Sequence, residues 1–254
     1  MKKTAENRRL TRRRRKGTRA GSLILALALL GLTAACSHEP PAKELRAQAT
    51  SPSTQSRRTL EEQTLRAQIE HLTAVKGLVH VLTRLQDYCA RPYTGSIFES
   101  NSPRNSLECT IRASVYFGVQ GDIADVLPRI RAANPATWGP QDDKGHDAPY
   151  AAGTVRYAVQ YQHRHGKYPD GTLMPGPALD AGKLQIDWDR PNMPLQNRVQ
   201  EPDPCPRLFP DEIYERCTIA PKIPLGVAAA RNQYGTVLVF TASVDDYFTV
   251  PRHR

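Results

Sequence analysis

The chain lacks the short motifs by which hydrolases, metalloproteases and nucleotide-binding enzymes are recognised. Its 254 residues contain no GxSxG elbow, no HExxH helix, no phosphate-binding P-loop and no Ser-x-x-Lys pair. It also has no CxxC pair, which argues against a structural zinc site. Catalysis therefore has no sequence signal of its own, and we predict no cofactor.

The chain also lacks an apolar run long enough to span a membrane. Its N-terminal apolar stretch covers residues 22–32, whereas a spanning helix needs about 20 residues. Ten Lys or Arg residues precede this stretch. A short apolar stretch behind a basic segment is typical of an export signal, and a retained membrane anchor is the alternative.

The apolar stretch leads into Leu32-Thr33-Ala34-Ala35-Cys36. This sequence resembles the lipobox of bacterial lipoproteins, and the resemblance covers only residues 1–36. It implies that a signal peptidase cuts before Cys36 and that Cys36 carries a lipid. We therefore expect an exported protein held by its lipid at the outer face of the cell membrane. The export route stays open between the general and the twin-arginine pathways, because Arg12 to Arg15 provide an arginine pair.

The excess of positive charge lies almost wholly in this leader. The whole chain has a formal net charge of +10, but residues 1–35 hold ten basic residues and one acidic residue. The remainder holds 25 basic and 24 acidic residues. A nearly neutral domain does not favour phosphate backbones, so we predict no nucleic-acid partner.

Few cysteines remain once Cys36 is assigned to the lipid. The other four make an even set, as expected for disulfides in an oxidising compartment. Four cysteines allow three pairings. Proximity along the chain favours Cys89–Cys109 and Cys205–Cys217.

These features divide the chain into three parts. We predict a signal peptide over residues 1–35 and a lipid-anchored, disordered tether over residues 36–57, which has no apolar periodicity. A single extracytoplasmic domain follows over residues 58–254.

The pattern of apolar residues predicts an α+β domain. We expect a mixed or antiparallel sheet of about five strands, with a long N-terminal helix and a second helix packed on one face. A coiled-coil arm is the alternative for the long helix, but its apolar residues drift between heptad frames. The predicted helices cover residues 59–88 and 123–134, and the predicted strands cover 109–119, 154–165, 183–189, 225–231 and 236–244, with an edge segment at 245–251.

Two groups of residues are candidates for a site. His163 and His165 share one face of a predicted strand, and with Asp147 they are the residues on which an enzyme would depend. The pleat argues against metal binding there, because the carboxylates of the next strand face the opposite side, and we predict no metal. The aromatic residues Tyr157, Tyr161 and Trp188 are candidates for a ligand groove, although side chains at strand spacing more often lie in a core.

Two functions remain in competition. The favoured one is a non-enzymatic, lipid-anchored binding or accessory module of the cell envelope, with an envelope protein, peptide or glycan as its partner. The alternative is an envelope hydrolase or metalloenzyme that uses the His163 and His165 region.

Overall fold

The protein is described here by a computed structural model that covers residues 39–92, 104–134, 136–148, 150–205 and 212–252. These residues contain five α-helices and a six-stranded sheet. The α+β class is confirmed, with one strand more than expected. The leader and Cys36 lie outside the described residues. Within the described part of the chain, no helix is both long and apolar enough to cross a membrane.

All neighbouring strands of the sheet are antiparallel, in the order β3-β4-β6-β2-β1-β5. The helices are α1 (Ala42–Ala49), α2 (Pro52–Thr73), α3 (Ile123–Ala133), α4 (Val155–His163) and α5 (Val227–Tyr234). The strands are β1 (Leu78–Ala90), β2 (Asn105–Val119), β3 (Leu179–Ala181), β4 (Leu184–Trp188), β5 (Glu212–Ala220) and β6 (Val237–Pro251).

The two faces of the sheet are covered differently. On β2, alternate side chains from Leu107 to Val119 enter the main core, where they meet apolar side chains of α1, α2, α3 and α4. We call this side the covered face. The side chains between them, including Arg112, Ser114 and Tyr116, belong to the opposite side, which we call the open face. Helix α5 packs there against Tyr116 and Val237.

The predicted tether is corrected from Ala42 onward, because α1 and the start of α2 occupy residues 42–57. Leu45 and Ala49 stand one helical turn apart and are fully buried in the main core. Two apolar residues are too few to show a period in the sequence. This segment is helical because Leu45 and Ala49 pack into a core that residues far away in the sequence form.

The predicted long helix over residues 59–88 is also wrong in its second half. Helix α2 begins after Ser51, whose hydroxyl accepts a hydrogen bond from the Thr54 amide, and it ends at Thr73. Gly77 then adopts φ +99°, and the chain enters β1. Strand β1 is stabilised by ladders to β2 and β5, which residues far along the chain provide.

Two predicted strands are helices in the structure. Residues 154–165 form α4, which Thr154 caps by accepting a hydrogen bond from the Tyr157 amide. The first arm of the predicted hairpin, residues 225–231, contributes to α5 instead. The second arm is β6, which continues through the predicted edge segment to Pro251.

Both predicted disulfides are present. Cys89 and Cys109 face each other across the β1–β2 ladder, and Cys205 is joined to Cys217 on β5. Two disulfides indicate an oxidising, extracytoplasmic environment.

Candidate functional site

Beside α5, a segment of irregular chain crosses the open face. Residues 189–205, which we call the strap, leave the end of β4 near one edge of the sheet. The strap ends at Cys205, which is bonded to β5 at the other edge. It must therefore pass over the three strands that lie between.

Asp189 holds the first end of the strap. Its side chain is only 6% exposed and forms an ion pair with Arg231 of α5, at 2.7 Å. The same carboxylate accepts hydrogen bonds from the amides of Val199 and Val237, each at 3.1 Å. One buried carboxylate thus ties together the strap, α5 and β6.

Helix α5 reaches the open face because β2 has no side chain at Gly118. A Cβ atom there would lie 2.1 Å from the ring of Tyr234. The missing side chain lets the aromatic ring lie directly against the sheet.

A cavity of about 300 Å³ lies between the strap and the sheet. We call it the strap cavity. It is lined by Arg84 of β1, Ser114 and Tyr116 of β2, Asp187 of β4, Val239 of β6 and residues 198–203 of the strap. Its volume lies at the lower end of the range for ligand sites.

A second cavity of about 520 Å³ adjoins the first on the same face. We call it the edge cavity. Both are lined by Asp187 and Val239, and the edge cavity extends over β3 and β4 to Gly176 and Arg190. Together they make up one depression on the open face.

The charges around the strap cavity are mixed. Asp187 is paired with Arg190 at 2.7 Å, and Glu201 accepts a hydrogen bond from the Ala228 amide at the start of α5. Burial raises the pKa of Tyr116; the Arg84 cation opposes this rise, and the carboxylates of Glu201 and Asp203 add to it. Burial is thus uneven around the cavity, because Tyr116 is buried while Glu201 and Asp203 are exposed.

The groups that line these two cavities are suited to recognition. They offer guanidinium, hydroxyl, carboxylate and amide groups, and neither lining includes a described His or Cys side chain. The described part of the chain also holds no group of three His, Cys, Asp or Glu residues able to bind a metal ion.

A different polar cluster, the buried ion network, lies on the covered face. Arg58 of α2 forms an ion pair with Asp87 of β1 at 2.6 Å, and Tyr247 of β6 donates a hydrogen bond to the same carboxylate at 2.7 Å. Arg216 reaches both Asp87 and Glu62. Burial raises the pKa of Asp87, and the Tyr247 hydrogen bond and the two cations oppose the rise. Because Asp87 is fully buried, the centre of this network is closed to a ligand, and the network joins elements of the fold.

The structure does not place His163 and His165 on a strand. His163 ends α4 and His165 follows it with φ 49°, and both are exposed. Asp147 is buried instead, in an ion pair with Arg131 at 2.5 Å, and it also accepts a hydrogen bond from the Arg156 amide. Its carboxylate fixes the preceding loop to α3 and α4.

The three candidate aromatic residues do not share a groove. Tyr157 and Tyr161 lie in a small buried cluster with Met174, and the Tyr157 hydroxyl donates a hydrogen bond to the carbonyl of Pro175. Burial raises the pKa of Tyr157 to about 12. Trp188 is fully buried in the main core. All three contribute to packing.

The residues that line the strap cavity were missed in the sequence. Arg84 fell within the predicted long helix, and Arg198 within a proline-rich stretch without periodicity. Burial alternates along β1 from Leu85 to Cys89, but the sequence does not show it, because the buried Asp87 is charged and the half-buried Tyr88 is aromatic. The helical spacing of the residues before them therefore had no competing signal.

No protein-family profile, curated protein or solved structure matches this chain. Its function must therefore be inferred from its own residues.

Proposed function

We propose that the protein is an exported, lipid-anchored binding module of the cell envelope. Its ligand site is the open face beneath the strap, and its ligand is a short peptide or glycopeptide of the envelope. One observation carries this proposal: on the open face a disulfide-tied strap covers a cavity lined by charged and hydroxyl groups, and a larger cavity adjoins it.

The chemistry of the depression supports a peptide-like ligand. The edge cavity is lined by residues 176–180 and by Gln185 and Thr241, which bring a side-chain amide and a hydroxyl group. These groups offer donors and acceptors that match amides and hydroxyls. Charged groups then concentrate at the strap cavity, where an end group of the ligand would lie.

The anchor is tested by changing Cys36→Ser. We expect the exported protein to lose its membrane association and to appear in the soluble extracytoplasmic fraction, because no lipid is attached. Continued association with the membrane after this change would overturn the lipid-anchor part of the proposal.

The binding site is tested by NMR on the exported, oxidised Cys36→Ser protein, with soluble muropeptides from muramidase-digested cell wall as the probe. We expect backbone amide shifts confined to the open face, around Ser114, Gln185 and Thr241. Shifts confined to the surface around His163 and His165, or no shifts at all, would overturn the binding part.

A further inference from the structure

Five arginines of the described chain have a buried Nε atom that lacks a hydrogen-bond acceptor. They are Arg84, Arg190, Arg198, Arg216 and Arg252. Such groups are rare in folded proteins, because removing a charged donor from water without a partner costs free energy.

Ion pairs separate these five arginines into two groups. Arg190, Arg216 and Arg252 each reach a carboxylate through another guanidinium nitrogen. Arg84 and Arg198 have no ion pair with any residue that the structure describes. These two are therefore the arginines that the fold itself leaves uncompensated.

Arg84 and Arg198 line the same strap cavity from opposite sides. Arg84 comes from β1 in the sheet below, and Arg198 comes from the strap above. Ser114 and Tyr116 bring hydroxyl groups to the same space. Two guanidinium groups with hydroxyl donors make a common arrangement for binding an oxyanion.

The acidic residues of the cavity limit the charge of that oxyanion. Asp187 and Glu201 are held by Arg190 and by the α5 amide, while Asp203 is exposed at the rim. Three carboxylates in one lining disfavour a doubly charged phosphate through repulsion. A single carboxylate needs less compensation and can still pair bidentately with an arginine.

We infer that the strap cavity binds the free carboxylate end of a peptide, held between Arg84 and Arg198. The rest of such a peptide would continue into the edge cavity, because the two cavities meet at Asp187 and Val239. This inference rests on the proposed function and specifies which end of the ligand the site recognises.

The test uses two matched probes, acetyl-dialanine with a free carboxylate and acetyl-dialanine amide. The readout is the ¹H–¹⁵N signals of the arginine Nε atoms in the oxidised Cys36→Ser protein. We expect the acid to shift the Arg84 and Arg198 signals and the amide to leave them unchanged.

Conservative variants test whether binding requires the planar guanidinium group or only a positive charge. Arg84→Lys and Arg198→Lys keep the charge but lose the planar donor pair, so each should weaken acid binding about tenfold or more. Arg112→Lys is the control, because Arg112 is exposed on the same face outside the strap cavity, and it should bind the acid normally.

Several outcomes would overturn the inference. Equal shifts with the acid and the amide, no shift at Arg84, or normal affinity in both lysine variants would each do so. Inorganic phosphate that displaces the acid and binds more tightly would reassign the site to phosphate groups. If muropeptides still perturb the open face in any of these cases, the proposed function stands; if they do not, both fail.

Discussion

The two faces of the sheet differ in how their arginines are paired. On the covered face, Arg58 has an ion pair with Asp87, a hydrogen bond to the Ala49 carbonyl and the ring of Tyr214 at 4.1 Å. On the open face, Arg84 has no such partner in the described chain and borders a cavity. The buried Arg58 is thus paired within the fold, whereas the half-buried Arg84 keeps a buried Nε atom without an acceptor beside a cavity, and this contrast supports the proposed ligand site.

The largest expected effect comes from removing the paired cation. Arg58→Met should lower the free energy of unfolding by about 3 kcal/mol, because the buried Asp87 carboxylate loses its nearest cation and keeps only the Tyr247 hydroxyl and the more distant Arg216. Arg84→Met should change it by less than about 1 kcal/mol, because no ion pair is lost. Urea unfolding of the Cys36→Ser protein measures both. Equal losses of unfolding free energy in the two variants would show that the arginines of the two faces do not differ in this way.

The two disulfides provide a second test of the difference between the two faces of the sheet. Their cysteines are separated by 20 and 12 residues, so replacing either pair by Ser should cost about 3 kcal/mol in the chain-entropy account. Only the Cys205/Cys217 change releases the strap, and only that change should abolish binding of acetyl-dialanine. The Cys89/Cys109 variant is the matched control, measured under conditions in which it remains folded. Retained binding without the Cys205–Cys217 bond would show that the strap needs no covalent tie.

The smallest effect concerns pH and the edge of the buried ion network. Burial of Glu62 opposes ionisation, but hydrogen bonds from Arg216 and Arg66 outweigh it and lower the pKa of Glu62 below 4.5. A lowered folded-state pKa means that this contribution is present above pH 4.5 and is lost as pH falls through the folded value. We expect at most about 1 kcal/mol, because Arg66 and Arg216 are partly exposed.

Glu62→Gln should therefore flatten the acid limb of the plot of unfolding free energy against pH. Glu70→Gln, an exposed change on the same helix, should leave that limb as it is. If the slope of unfolding free energy against pH is unchanged in Glu62→Gln, Glu62 does not contribute to the acid dependence of stability.

The sequence predicted those parts of the fold whose signals are local. The alternation in β2 and the chain proximity of the cysteines both led to correct predictions. Residues 78–90 and 154–165 were assigned wrongly because their side chains fit two periods, and non-local pairing or a helix cap decides between them. The strap cavity could not be predicted, because its lining comes from four strands and a segment without periodicity.

The manner in which the strap is fastened has a consequence for when the site exists. One end is held by the Asp189 carboxylate, which needs no oxidant, and the other by a bond between Cys205 and Cys217. A folded chain in a reducing environment can form the first fastening but lacks the second. We therefore expect the cavity to close into its final shape only after export. Before that bond forms, the site for the proposed peptide ligand would be incomplete.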